Sequence, residues 1–476
     1  MPSVAVIGAG PAGATAAYVL TKNHVDVDLY EASPHVGGMA RSIELWGQTV
    51  DIGPHRFFSS DPRVNRLWLE VVGDDYEMVD RLTRIFFRDK FYYYPIKAAN
   101  VLRNLGVVES VRCIASFAWQ RIRHQHDEPD DTFESWVTAR FGKRLYHHFF
   151  KSYTEKLWGI PGTELGAEFA AQRIRKLSLW EAVRSALSDR RAQQHKTLVD
   201  QFAYPVQGTG LVYERMRQYV EGHGGRVHLR TPVDSLVTTG RTVTGLRLRS
   251  GETRHYDHVI SSMPLTLLVG RLPDVPPDVA TAISSLEFRN TILVYLRIDG
   301  ENVFPDNWIY VHSDELRTGR ITNFRNWVPS LGNGRPETIL AMEYWCFDED
   351  DFWQWDDDRH IALARQEIAR TGLVAADRIG AGAVVRVPRC YPVYRRGYRE
   401  HLSVVENFLR GFENLEVIGR YGAFKYNNQD HSILMGMLAA NNVCDSASRQ
   451  DLWDINSDYE YQESSTITKT GLLTHG

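Results

Sequence analysis

Runs of apolar residues change period along this chain, most sharply at its amino-terminal end. Ser3-Val4-Ala5-Val6-Ile7 is an apolar, β-branched run of strand length. Ala14 to Lys22 then reads at a helical period, and Val25-Asp26-Val27-Asp28-Leu29-Tyr30 returns to strand spacing. Strand, helix, strand predicts a βαβ unit on a parallel sheet. Further strand-like runs occur at Thr291-Ile292-Leu293-Val294-Tyr295-Leu296, at Thr338-Ile339-Leu340-Ala341-Met342-Glu343-Tyr344 and at Leu415-Glu416-Val417-Ile418. Residues 76–200 are instead rich in Leu, Ala, Arg and aromatic residues at helical spacing, as in Thr132-Phe133-Glu134-Ser135-Trp136-Val137 and Leu179-Trp180-Glu181-Ala182-Val183. The expected class is α/β with a helical insertion and a second, mainly antiparallel sheet.

Between the first strand and helix stands Gly8-Ala9-Gly10-Pro11-Ala12-Gly13, a GxGxxG pattern in the context that gives it meaning. Gly8 permits the tight turn, Gly10 removes a side chain that would block a pyrophosphate, and Gly13 lets helix and strand pack closely. The helix amino terminus then offers free N–H groups to negative charge. Glu31 ends the second strand, where its carboxylate would accept hydrogen bonds from ribose hydroxyls and disfavour a 2′-phosphate. This is a Rossmann-type dinucleotide site, with NAD and FAD both open at this point.

Composition narrows the setting. A chain of 476 residues with 43% hydrophobic and 24% charged content is globular, neither disordered nor fibrous. The net charge of -4 gives no global basic footprint for nucleic acid, so an anionic ligand needs local clustering. Cys113, Cys346, Cys390 and Cys444 are too few and scattered for a disulfide framework or a zinc ribbon, and no metal site is expected. No apolar stretch is long enough to span a bilayer, and Val4 to Ile7 runs straight into the glycine turn, so cytoplasmic residence is expected.

Just after Glu31, Pro34-His35-Val36-Gly37-Gly38-Met39-Ala40-Arg41-Ser42 resembles the second glycine pair of flavoproteins of the amine oxidase and protoporphyrinogen oxidase superfamily. The resemblance implies FAD, approached by Gly37, Gly38 and Arg41. It implies two returns of the chain to the cofactor: Gly224 to Val233, with Val233 bracketing the adenine through its backbone, and Leu415 to Arg420, with Gly419 and Arg420 at the strand end. A helix beginning at Asp430 would point its amino terminus at the flavin. The FAD-binding domain is thus expected to be discontinuous, over 1–75, 201–270 and 400–450. A helical insertion (76–200), a β-sheet substrate domain (271–399) and a loosely held polar tail (451–476) complete the division. Asp348 to Asp358 reads as an acidic, solvated loop.

A second resemblance is sharper. Tyr153-Thr154-Glu155-Lys156-Leu157-Trp158-Gly159, followed by Ala171-Gln172-Arg173-Ile174, looks like UDP-galactopyranose mutase. Ser285-Leu286-Glu287-Phe288-Arg289, Tyr391-Pro392-Val393, Gly53-Pro54-His55, Tyr94-Pro95-Ile96 and Tyr426-Asn427-Asn428-Gln429-Asp430-His431 are similar to other segments of that family. The resemblance implies Tyr153 at the nucleotide base, Trp158 beside a closing loop, and Arg173 and Arg289 on the diphosphate with Tyr391 and Tyr426. His55 would lie by the flavin. Two guanidinium forks suit two phosphates.

The implied activity is a pyranose/furanose mutase acting on a nucleotide-diphosphate sugar, with reduced flavin N5 as nucleophile at the anomeric carbon and NAD(P)H as a candidate external reductant. Departures keep a second reading open. Where the mutases continue with another histidine, this chain has Arg56-Phe57-Phe58, and Gly38-Met39-Ala40-Arg41-Ser42 leans towards the oxidases. The alternative is an FAD-dependent oxidoreductase of the protoporphyrinogen oxidase or amine oxidase type. Homo-oligomerisation is compatible with either.

Overall fold

The computed structural model describes residues 2–94, 98–123, 131–167, 201–455, 467–468 and 471–472. Its centre is a parallel sheet of five strands in the order Leu415–Val417, His258–Ser261, Ser3–Ile7, Asp26–Tyr30, Arg226–His228. Widely separated parts of the sequence thereby meet on one sheet. Val4, Ala5 and Val6 are fully buried, which is why this strand reads as a continuous apolar run rather than an alternating one. The helix Pro11–Lys22 follows, with proline in its first turn, and packs along Gln429–Cys444. Gly436 sets their separation, since a Cβ there would lie 2.3 Å from the Ala12 carbonyl oxygen.

A seven-stranded sheet forms the second layer, in the order Ile379–Pro392, Phe288–Ile298, Thr338–Cys346, Arg320–Asn323, Trp308–Val311, Thr83–Phe87, Lys90–Tyr93. Its pairs are antiparallel except Trp308–Val311 against Thr83–Phe87. Every residue of Thr338–Cys346 is buried.

Three expectations need correction. Residues 76–200 do not begin as helix: Tyr76–Asp80, Thr83–Phe87 and Lys90–Tyr93 are strands, and the last two extend the seven-stranded sheet. Their aromatic and β-branched content favours a pleated, half-buried surface. Helices start at Ala98–Leu105 and continue through Val107–Arg123, Phe133–Phe141 and Lys151–Trp158. Leu179 to Val183 lies outside the described residues. The tail is also not loose where described: Ile467 is fully buried, and the Tyr76 hydroxyl donates to the Thr468 carbonyl at 2.7 Å. Its few apolar residues are outnumbered by polar ones, which hid the anchor. The acidic 348–358 stretch folds into Asp351–Gln354 and the start of Asp357–Arg370, with Phe352 buried beneath.

Candidate active site

The cofactor cradle is built from glycines placed where side chains do not fit. Gly8 takes φ +92°, and a Cβ on Gly13 would fall 1.8 Å from the Gly8 carbonyl oxygen. The two glycine segments meet: Gly37 N–H donates to the Ala9 carbonyl at 2.7 Å, and a Cβ on Gly38 would stand 3.1 Å from Gly10 Cα. Gly419 joins from the carboxy-terminal side, where a Cβ would reach 3.0 Å from the Ala12 methyl group. Glu31 accepts Ala9 N–H and Ser33 N–H, both at 2.8 Å, one on each carboxylate oxygen. A carboxylate offers about four lone-pair sites, so it keeps capacity for ribose hydroxyls. Val233 is buried at the start of the strand Val233–Thr239, in register with Leu248.

Orphaned donors mark where this cradle expects a partner. Arg41 Nε and Asn428 Nδ2 are buried with no hydrogen bond among the described residues. Buried unpaired donors are costly unless a ligand or water satisfies them. A glycine-lined groove at a helix amino terminus, an acid at the second strand end and these buried donors together fit FAD. Asp430 stands in the first turn of Gln429–Cys444, its Oδ1 3.2 Å from His431 Nδ1.

The loop carrying His55 is tied down by two donors on its carbonyl. Gln429 Nε2 donates to the His55 carbonyl at 3.0 Å, and Thr209 Oγ1 donates to it at 2.9 Å. Beneath it, fully buried Asp51 accepts from Ser42 Oγ at 2.6 Å, from the Tyr204 hydroxyl at 2.7 Å and from Thr209 N–H at 3.2 Å. Burial nevertheless raises the Asp51 carboxyl to about 6. His55 Nδ1 lies 3.1 Å from the Gly53 carbonyl, so this nitrogen carries the proton and Nε2 keeps its lone pair. Burial first, then the nearby Arg320 and Arg420 charges, lowers His55 to about 3, which leaves a neutral imidazole. Phe57, near where the mutases carry a second histidine, is core: it stacks on Trp68 with ring centroids 4.5 Å apart.

The aromatic residues expected on the substrate side form one packed cluster. A π-helical turn over Tyr146–Phe150 leads into Lys151–Trp158, and such turns re-aim the side chains that follow. Trp158 meets Tyr391 at 6.2 Å and Tyr426 at 5.8 Å between ring centroids, and Tyr391 stacks on Tyr426 at 5.6 Å. Trp345 links Tyr153, at 5.8 Å, to Tyr391, at 6.3 Å. The structure thus brings Tyr153, Trp158, Tyr391 and Tyr426 together. Arg420 stands against them, 4.6 Å from the Tyr391 ring and 4.3 Å from that of Tyr426, donating to the Cys390 and Asn427 carbonyls at 3.0 and 3.1 Å. His55, Tyr153 and Arg420 lie deep in the molecule but are not fully covered.

Sequence reasoning missed the Arg320–Glu343 pair. Arg320 Nε donates to Glu343 Oε1 at 2.8 Å, and its Nη2 donates to the other oxygen at 2.5 Å. Although burial opposes the charge, Glu343 holds Arg320 firmly protonated, within electrostatic reach of Tyr153 and Tyr391. The signal was an acid inside the wholly apolar run around Met342, since a buried carboxylate requires a partner. Asp51, in Val50-Asp51-Ile52, carried the same signal.

Arg289 is placed differently from its expected phosphate role. It is 4% exposed and donates to the carbonyls of Lys156 at 3.2 Å, Leu157 at 3.4 Å and Trp345 at 2.9 Å. Two of these are terminal carbonyls of Lys151–Trp158, which a cation caps favourably. Burial lowers Arg289 to about 10, with Asp350, 3.5 Å from Nη1, acting the other way. Gly159 ends the helix at φ +69°, where a Cβ would stand 2.4 Å from Arg289 Nη1. Lys156 is pinned to the Val311 and Ser313 carbonyls at 3.1 and 2.6 Å. Lys156, Gly159 and Arg289 therefore aim the helix whose Tyr153 and Trp158 join the aromatic cluster. Arg173, Pro95 and Ile96 lie outside the described residues.

Comparison with known proteins agrees with this geometry at the level of fold. Coproporphyrinogen III oxidase of Staphylococcus aureus is 20% identical over 471 residues, covering 93% of this chain and 98% of that protein. dTDP-fucopyranose mutase of Escherichia coli is 28% identical over 174 residues, covering 35% of this chain and 44% of that protein. The crystal structure of reduced UDP-galactopyranose mutase superposes with a TM-score of 0.83 at 21% identity, over 94% of this chain and 95% of that one. The sequence profile of the flavin containing amine oxidoreductases matches residues 11–444, and the chain belongs to that family.

Proposed function

We propose that this flavoenzyme is a sugar-nucleotide mutase, interconverting pyranose and furanose forms of a nucleotide-diphosphate sugar without net oxidation. The observation that carries the reading is the convergence of Tyr153, Trp158, Tyr391 and Tyr426 in one aromatic cluster, with Arg420 stacked against two of them. When bound in its reduced form, FAD supplies a nucleophilic nitrogen, with NAD(P)H as a candidate reductant. The chain's own residues do the rest. Arg420, helped by Arg320, offsets the diphosphate charge, and each charged hydrogen bond is worth about 1.5–3 kcal/mol. Arg173 is a further phosphate contact in this proposal. Tyr153 supports the base, and the aromatic cluster excludes water. Neutral His55 would lie by the flavin, with Nε2 a hydrogen-bond acceptor and not a proton acceptor, and no general base is assigned.

A second reading, an oxidoreductase acting on a porphyrinogen, is favoured by the S. aureus relative, which aligns over nearly all of this chain. The same cations would receive carboxylates. Equilibrium binding separates the two. FAD-loaded protein titrated with UDP or dTDP should bind, and coproporphyrinogen III should not compete. Competition by coproporphyrinogen with no nucleotide binding would overturn the mutase reading.

A further inference from the structure

Nine large hydrophobic side chains are exposed among the described residues, and eight of them cluster on or beside the two helices Ala98–Leu105 and Val107–Arg123. On the second helix Val107, Val108, Val111, Ile114, Trp119 and Ile122 are between 53% and 71% exposed. At about 100° per residue these six positions share an arc of roughly 140° running the helix's whole length. Leu102 on the preceding helix and Tyr93 on the adjoining strand extend the patch.

The opposite side of this helix is anchored. Cys113 and Ser110 are buried, and Gly142 approaches so closely that a Cβ there would stand 2.8 Å from Phe117 Cα. The apolar arc is therefore held outward by packing. Its borders are basic. By helical register position 121 lies on one border, and positions 112 and 123 lie on the other, all arginines. Residues 98–123 contain four arginines against one glutamate, a net +3 in a chain of net -4. That glutamate, Glu109, is held by Arg144 and His148 at 2.8 and 2.9 Å and stands farther, 3.5 Å, from Arg112.

We propose that this face lies on the surface of an anionic lipid bilayer. A helix with an apolar stripe containing tryptophan and bordered by arginines has the make-up of one lying in the membrane interface, where the rings enter the headgroup boundary and the guanidinium groups meet phosphates. No helix among the described residues is long and apolar enough to cross a membrane, so the contact is peripheral. A symmetric pairing of two copies through the same face fits less well. It would bring arginine borders against themselves, whereas an anionic bilayer neutralises them. The inference does not depend on the proposed reaction.

Vesicle sedimentation of the full-length, FAD-loaded protein tests it. The protein should pellet with vesicles of phosphatidylcholine mixed with phosphatidylglycerol, remain in solution with phosphatidylcholine alone, and be released by salt. The double variant Val111→Glu/Trp119→Glu should lower vesicle affinity at least tenfold with flavin absorbance unchanged. Arg112→Gln/Arg121→Gln should abolish the preference for anionic lipid. Failure to pellet with either composition, or equal pelleting of the Val111→Glu/Trp119→Glu protein, overturns the proposal. So does a wild-type dimer that this variant converts to monomer while neither binds vesicles, which assigns the face to a second copy.

Discussion

The guanidinium of Arg420 lies 4.3 Å from the Tyr426 ring centroid, with one terminal nitrogen buried and unpaired. A buried cation held flat against an aromatic ring is preorganised to receive an anion. Arg420→Met should therefore weaken UDP binding by roughly ten- to a hundredfold, the equivalent of one charged hydrogen bond. Arg420→Lys, which keeps the charge and loses the fork, should fall between the two. Calorimetric titration of the flavin-loaded proteins checks both.

Arg289 and Gly159 act as one lock on the helix bearing Tyr153 and Trp158. Gly159→Ala places a methyl group against the guanidinium and a side chain at positive φ, which should cost about 1–3 kcal/mol. Arg289→Ala, which strips three buried carbonyls of their donor, should cost about 2–4 kcal/mol. Urea unfolding measures both, and nucleotide affinity should fall alongside stability in each.

Acid should destabilise the protein through its buried histidines before ordinary surface carboxylates are protonated. Burial, reinforced by nearby cations, holds His55 and His312 down to about 3 and His360 to about 4. An unfolded histidine titrates near ~6.5, so between there and about 4 the unfolded chain binds protons that the native one refuses. Their contribution is complete above that range and is lost as pH falls through it. Asp51, raised to about 6, runs the other way: its native proton stabilises at low pH, and that contribution is lost as pH rises through 6. The urea midpoint should drop from neutral pH to pH 5, and His55→Gln should flatten the drop.

Asp51 is the hub under the His55 loop, accepting from Ser42, Tyr204 and Thr209. Asp51→Asn keeps an acceptor and should leave flavin occupancy nearly intact. Asp51→Ala leaves buried donors unpaired, costs about 2–4 kcal/mol, and should loosen flavin binding. Flavin content after gel filtration, with urea unfolding, distinguishes the two.

The βαβ unit was legible because strand, glycine turn, helix and Glu31 are contiguous and obey local rules. The returns at Arg226–His228 and Leu415–Val417 were legible by resemblance, whereas His258–Ser261 joins the same sheet only through the tertiary fold. The clustered aromatics were legible by resemblance, and the structure brings all four together. The carbonyl contacts of Arg289 were not legible, because its segment shows an arginine without showing which groups it faces. Arg320 was missed for the converse reason: nothing local sets it apart, and only its partner Glu343, an acid in a buried strand, betrays it. The strands of 76–93 were absorbed into a helical reading because the helices after Ala98 dominate the composition of that stretch.

The most direct test of the central claim is product analysis after dithionite-reduced, FAD-loaded protein is incubated anaerobically with UDP-, GDP- and dTDP-sugars. A mutase gives an isomer of equal mass from at least one of them, with no net oxidation and no turnover while the flavin stays oxidised. No isomer from any sugar, together with oxygen uptake and peroxide release on coproporphyrinogen III, would contradict the account.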